Sequence, residues 1–124
     1  MKLHLERAAE QYQFTGYGDG WVAINGERHT QALLLLPDRV VAPWLVEDDI
    51  DRLTMEHFAA LAQFRPDIVL LGTGRRFRLP GSSLMRAFNA DGVGLEAMDT
   101  HAACRTFNVL LAEGRQVAAA LLAV

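Results

Sequence analysis

The chain has a single cysteine, which excludes an intrachain disulfide and any multi-cysteine zinc site. Its four histidines, His4, His29, His57 and His101, show no paired ligand spacing, so no metal site is expected. No apolar run approaches the roughly 18 residues that cross a membrane as a helix, and membrane insertion is not expected. Positive charge is not in excess either. Twelve Lys and Arg against fifteen Asp and Glu give a net charge of -3, which argues against a nucleic-acid surface. The basic cluster Arg75-Arg76-Phe77-Arg78 is too local to reverse that balance. Residues 1–10 carry acidic side chains and lack both the apolar core of a signal peptide and the Arg-rich, acid-poor pattern of a presequence, so a cytoplasmic location is expected.

What is present suits a soluble globular protein: 51% hydrophobic and 22% charged residues in 124 positions, with no internal repeat or low-complexity segment. That length predicts one domain over 1–124, able to bury roughly two thirds of its unfolded surface without staples.

The first third reads as β structure. Trp21-Val-Ala-Ile24 is followed by Asn25-Gly26, a strong two-residue hairpin signal, and by a partner strand from about Glu27 to Leu36. The run Leu33–Leu36 is apolar on consecutive positions, as a strand covered on both faces would be. Pro37-Asp38 breaks it, and Val40-Val41 forms a further short strand. A helix is predicted from Met55 to about Phe64, capped by Thr54, stapled by Leu53 and Phe58, and ended by Pro66. The second half alternates. Strand Ile68–Leu71 precedes a small and basic loop, then a helix capped by Ser82 or Ser83 runs through Ala90. Strand Val93–Met98 precedes a helix from Asp99 or Thr100 to Glu113, and Gln116–Val124 is a last strand. Strand-helix alternation with short links predicts parallel crossovers. The expected fold is α/β: a three-layer sandwich with a central mixed β-sheet, helices packed on it, and an N-terminal β-hairpin elaboration.

Two strand-to-helix junctions carry what chemistry the sequence offers: Leu71-Gly-Thr-Gly-Arg75 and Met98-Asp-Thr-His101. If their strands are parallel neighbours, both fall at one carboxyl edge, where open α/β sheets hold ligands. A cleft there would be lined by Gly72, Thr73, Gly74, Arg75, Asp99, Thr100, Cys104 and Asn108. Gly72-Thr-Gly74 is not a dinucleotide fingerprint, because Phe77 stands where a third glycine is needed, and no Gly-Lys-Ser/Thr follows to make a phosphate loop. No cofactor is expected. Asp99 and Thr100 have a structural task, satisfying the first amides of the following helix. Cys104 lies three residues after His101 and beside Arg105, so a nucleophilic thiol near a helix start is conceivable chemistry. A packed, inert cysteine among Ala102, Ala103 and Phe107 is the competing reading.

The blocks Asp67-Ile-Val-Leu-Leu-Gly-Thr-Gly74, Gly94-Leu-Glu-Ala-Met-Asp-Thr100, Ala102-Ala-Cys-Arg-Thr-Phe-Asn108 and Glu113-Gly-Arg-Gln-Val-Ala-Ala-Ala120 resemble a small family of Mth-like proteins of unknown function. It includes the mitochondrial NADH dehydrogenase (complex I) assembly factor three and many bacterial and archaeal single-domain proteins. The match spans about Trp21 to Val124. The resemblance implies a three-layer α/β fold with a mixed sheet, no established reaction, and a protein partner. Lacking a presequence, the chain looks like a bacterial cytosolic member.

The expected function is therefore a non-catalytic protein-interaction or assembly factor, with Trp44, Phe77 and Phe14 as apolar contact candidates and a homo-oligomer allowed. The alternative is a small-molecule or anion-binding protein using the cleft between the two junctions.

Overall fold

The computed structural model describes residues 11–124; residues 1–10, with His4, lie outside the described residues. Two sheets are present among the described residues. β1 (Phe14–Gly18), β2 (Trp21–Ile24) and β3 (Glu27–His29) form a small antiparallel sheet. β4 (Leu33–Leu36), β5 (Arg39–Val41), β6 (Ile68–Gly72), β7 (Gly94–Met98) and β8 (Val117–Leu121) form a five-stranded sheet in the order β5-β4-β8-β6-β7. β7 and β8 run parallel to β6, whereas β4 pairs antiparallel with β8 and β5, so the sheet is mixed and the fold is α/β. The last strand thus sits at the centre, pointing the same way as β6.

Both faces of this sheet are covered, which explains the unbroken leucines of β4. Leu33 and Leu35 join Leu70, Val117, Ala119 and Leu121 on the face packed against α2 (Thr100–Ala112) and the small sheet. Leu34 and Leu36 join Val69, Leu71, Ala118 and Ala120 on the other face, under α1 (Ser82–Ala90) and two 3-10 segments, Ile50–Arg52 and Met55–Leu61. Each of the four leucines is no more than 1% exposed. Removing such a side chain from water contributes about 1.5–3 kcal/mol before entropy is counted.

The elements differ from the sequence reading in four places. The strand expected over Glu27–Leu36 breaks at Thr30–Ala32 and changes sheets there. Glu27 and Arg28 are exposed and suit the half-solvated small sheet, while the leucines need two covered faces. That small sheet is three-stranded rather than a hairpin, because β1 was hidden by its glycines, Gly16 and Gly18. The Asn25-Gly26 turn is as expected, with φ of 48° and 87°.

The helix expected over Met55–Phe64 is a 3-10 segment over Met55–Leu61, with Phe58 at φ -104°, ψ 17°. Its buried residues, Phe58 and Leu61, are three apart, and a 3-10 turn stacks such positions over one another. At α1 the cap position is Gly81, not Ser82 or Ser83, and no side chain caps the helix.

The sheet's carboxyl edge depends on Gly72. A Cβ there would lie 2.7 Å from Leu121 Cδ2, 2.8 Å from Thr100 Oγ1 and 2.9 Å from Thr100 Cα. Gly72→Ala is therefore expected to cost about 1–3 kcal/mol by overpacking, read as a lowered urea midpoint with an unchanged slope.

Candidate functional site

β6 and β7 are parallel neighbours with Gly72 opposite Met98, so the two junctions emerge side by side at one edge. Beyond the strands the segments stay zipped together. The Thr73 amide donates to Met98 O at 2.8 Å, and the Thr100 amide to Gly74 O at 2.9 Å. The adjacency required for a shared cleft is present. Whether a ligand could use it depends on how many of the lining groups remain free.

Most are engaged. The Thr100 hydroxyl accepts from the Gly74 amide at 2.9 Å and donates to Leu122 O at 2.9 Å, and the residue is 1% exposed. Thr73 donates to Arg76 O at 2.7 Å and accepts from the Arg78 amide at 3.0 Å, stapling the basic loop. Asp99 Oδ1 accepts from the Ala102 amide at 2.9 Å, capping α2 where its carboxylate also meets the positive end of the helix dipole. Asn108 accepts from the Phe14 amide at 3.0 Å and donates to Phe14 O at 2.7 Å, so it docks β1 onto α2 and takes no place in a cleft. Gly72 is sealed beneath Thr100.

Cys104 is 1% exposed. Burial pushes its thiol up to about 12, far outweighing the lowering by the Arg105 charge. The neutral form is a poor nucleophile. His101 instead stacks on Tyr17, with ring centroids 4.5 Å apart and planes at 27°, and its Nε2 is buried without a hydrogen-bond partner among the described residues. Arg105 reaches over to donate to the Tyr17 hydroxyl at 2.8 Å.

Two open depressions flank the Gly74 loop. One, of about 450 Å³, is lined by Tyr17, Asp19, Gly74, Arg75, Asp99 and His101. Its one arginine is already paired, Arg75 Nη2 to Asp19 Oδ1 at 2.7 Å, and two carboxylates oppose an anion there. The second, of about 580 Å³, lies between Asp48, Ile50, the Thr73–Arg78 loop and Leu122-Ala123. A further cleft of about 560 Å³, lined by Phe58, Leu61, Arg65, Asp67, Phe88 and Val93, opens at the opposite, amino edge of β6 and β7. Among the described residues no group of three or more His, Cys, Asp or Glu side chains could hold a metal ion.

Tyr17 and Asp19 were missed from the sequence. Their only signal was the glycine-rich turn Gly16–Gly20, whose proximity to the second junction is a tertiary fact. Of the three apolar contact candidates, Phe14 is buried, and Trp44 packs on Phe58 and donates to His57 O at 2.7 Å. Phe77 alone is an exposed large side chain, at 55%. Leu79 at 69%, Val109 at 57% and Val46, which is fully exposed, are further exposed apolar side chains. No helix among the described residues is long and apolar enough to cross a membrane.

Comparison with known proteins gives a family match over residues 14–122, to a model described as protein of unknown function (DUF498/DUF598). Relatives include the human NADH dehydrogenase [ubiquinone] 1 alpha subcomplex assembly factor 3, 37% identical over 98% of this chain and 66% of that protein. An uncharacterized Rhodobacter capsulatus protein is 39% identical over 86% of this chain and 81% of its own. A Francisella tularensis protein named 13 kDa major membrane protein is 27% identical over 94% and 95%. The chain spans slightly less than two thirds of the human assembly factor and 57% of its rat counterpart. Among solved structures, a Bordetella parapertussis protein superposes with a TM-score of 0.80 at 44% identity, covering 92% of this chain and 97% of that one. A Mth938-like domain from Bordetella pertussis gives 0.75 at 36% identity, covering 93% and 87%.

Two outcomes test the engaged state of these residues. Thr100→Val keeps the shape but strands the Gly74 amide and Leu122 carbonyl, and is expected to cost roughly 2–4 kcal/mol in denaturant unfolding. Cys104 should resist alkylation in the folded protein at neutral pH and react at once in urea. Because its folded value lies above the ordinary thiol value of 9.0, its contribution to stability is full below pH 9 and is lost as pH rises from there towards about 12.

Proposed function

The chain belongs to the DUF498/DUF598 family, and on that premise we propose that it is a non-catalytic protein-interaction module that assists the assembly of a larger complex. The observation that carries this reading is the contrast at the carboxyl edge. The hydroxyls of Thr73 and Thr100 are spent on the chain's own backbone, while Phe77 and Leu79 stand exposed on the loop that Thr73 staples. A preorganised loop with an exposed aromatic flanked by arginines is a composition that protein interfaces favour. The assembly-factor names of several relatives support the same direction. On this reading the protein works in a bacterial cytoplasm.

The second reading, a small-molecule or anion site, draws on the 450 Å³ depression with Arg75 at its wall. The Arg75–Asp19 pair and the capping carboxylate of Asp99 weigh against it.

Cross-linking mass spectrometry on the tagged chain in its host separates the two. The assembly reading expects reproducible partner cross-links near residues 75–79 that fall about tenfold or more with Phe77→Ser, a loss typical of an interface anchor. Absence of any reproducible partner, itself included, combined with saturable thermal stabilisation by a small anion that Arg75→Ala abolishes, would give the second reading the site.

A further inference from the structure

We propose that the free edge of β7 docks an extended segment of a partner protein as an added strand, with a Lys or Arg of that segment across from Glu96. This rests on the protein-interaction reading and names the chemistry of what is bound. β7 ends the five-stranded sheet, and only its β6 side is paired. The Gly94 amide donates to Asp67 O at 3.0 Å, and Met98 O accepts from the Thr73 amide at 2.8 Å. In a parallel ladder alternate residues turn both main-chain groups to the same neighbour, so Gly94, Glu96 and Met98 face β6. Leu95 and Ala97 face the other way, and their amides and carbonyls meet no partner among the described residues. These two residues stand about 6.6 Å apart along an open edge, a spacing that another extended backbone matches.

Side chains select the strand. Leu95 and Ala97 lean to the α1 face, where Met85, 43% exposed, and Val93 border an open, mainly apolar hollow of about 390 Å³ between α1 and the start of β7. Residues of the added strand beside Leu95 and Ala97 lie on that face and are apolar. Glu96 projects to the opposite face, is exposed, and has no ion-pair partner among the described residues. A cation directly across from it is favoured and a carboxylate is repelled. The same carboxylate excludes a second copy. An antiparallel two-fold pairing that uses both outward residues sets Leu95 against Ala97 of the other copy. It then places Glu96 directly against Glu96, about 5 Å apart. β7 has no proline, lysine or bulge to turn other strands away, so Glu96 is the feature that discriminates among them.

Amide exchange followed by NMR on the intact chain tests this, with two short probe peptides of alternating Val and Thr, one carrying a central Lys and the other a central Glu. In the free chain the Leu95 and Ala97 amides should exchange quickly and the Glu96 amide between them slowly. The Lys peptide is expected to slow exchange at Leu95 and Ala97 and to bind at least about threefold more tightly than the Glu peptide, the difference between an attractive and a repulsive cross-strand pair. Glu96→Lys should reverse that order. Ala97→Pro deletes an outward amide that the sheet does not use and should abolish binding. Its urea midpoint reports folding, and the exposed Glu96→Lys substitution decides the matter if the proline disturbs the strand. Unchanged exchange at Leu95 and Ala97 with both peptides overturns the proposal, as does a preference for the Lys peptide that survives Glu96→Lys. Self-association of the unaltered chain through β7 overturns it as well. An untouched β7 with partner cross-links still on residues 75–79 refutes edge docking and leaves the assembly reading standing. Peptide binding as expected, in a chain that shows no partner in its host, upholds edge docking and removes that reading.

Discussion

The closure of Thr100 over Gly72 holds the carboxyl edge of this protein together. Because Gly72 has no side chain, the first residue of α2 settles directly on the end of β6. From there its hydroxyl ties the Gly74 amide to Leu122 O, joining the segment after β6 to the segment after β8. Both partners are buried main-chain groups leaving regular strands, where an unpaired polar atom costs about 1–3 kcal/mol. A small residue and a hydroxyl therefore replace the ladder bonds that end with the strands. The same economy consumes the convergent polar atoms from which a ligand site at a switch point is ordinarily built.

Packing in the middle layer has a comparable effect on chemistry. Ala118, Ala119 and Ala120 of β8 are fully buried, and their short side chains allow covering elements to sit close on both faces. On one face α2 presents Ala103, Cys104 and Phe107 to that surface, and Phe14 meets Phe107 edge-on at 5.3 Å. Cys104 serves there as a small apolar side chain. The exclusion of water that makes it useful to the core also holds its proton in place. The structure thus gives this helix-borne thiol a place in the core as a packing group.

Much of this was legible in the residues. Consecutive apolar positions at Leu33–Leu36 and Ile68–Leu71 marked strands covered on both faces, Asn25-Gly26 marked a tight turn, and Asp99 marked the start of α2. What the sequence hid has physical causes. Gly16 and Gly18 dilute the alternation of β1, so the third strand of the small sheet carries no periodic signal. The change of sheet between His29 and Leu33 is a choice of environment, which local pattern encodes only through the switch from charged to apolar residues. At Met55–Leu61, a single turn-like pair of buried residues fits 3-10 geometry as well as an α-helix. At the carboxyl edge, the sequence pattern put Thr73 and Thr100 at the two junctions and Cys104 and Asn108 on the helix that follows. Whether their polar atoms faced outwards or inwards depended on contacts with Leu122, Arg76 and Phe14, which are distant or turned back in ways that spacing does not reveal.

The leucine strand carries a last implication. A one-residue slip of β4 would exchange the side chains facing its two covered faces, yet at three of its four positions leucine would replace leucine. Composition opposes such a slip only at the strand's ends, where Ala32 or Pro37 would enter, so alignment must be enforced at those ends. Two anchors do this: the Pro37-Asp38 corner, which sets Leu36 against Arg39, and the Trp44 amide bonded to Ala32 O at 2.8 Å. Drift along a homopolymeric stretch is thereby checked by its boundaries, and lengthening either boundary by one residue would leave the leucines buried but shift every partner beside them.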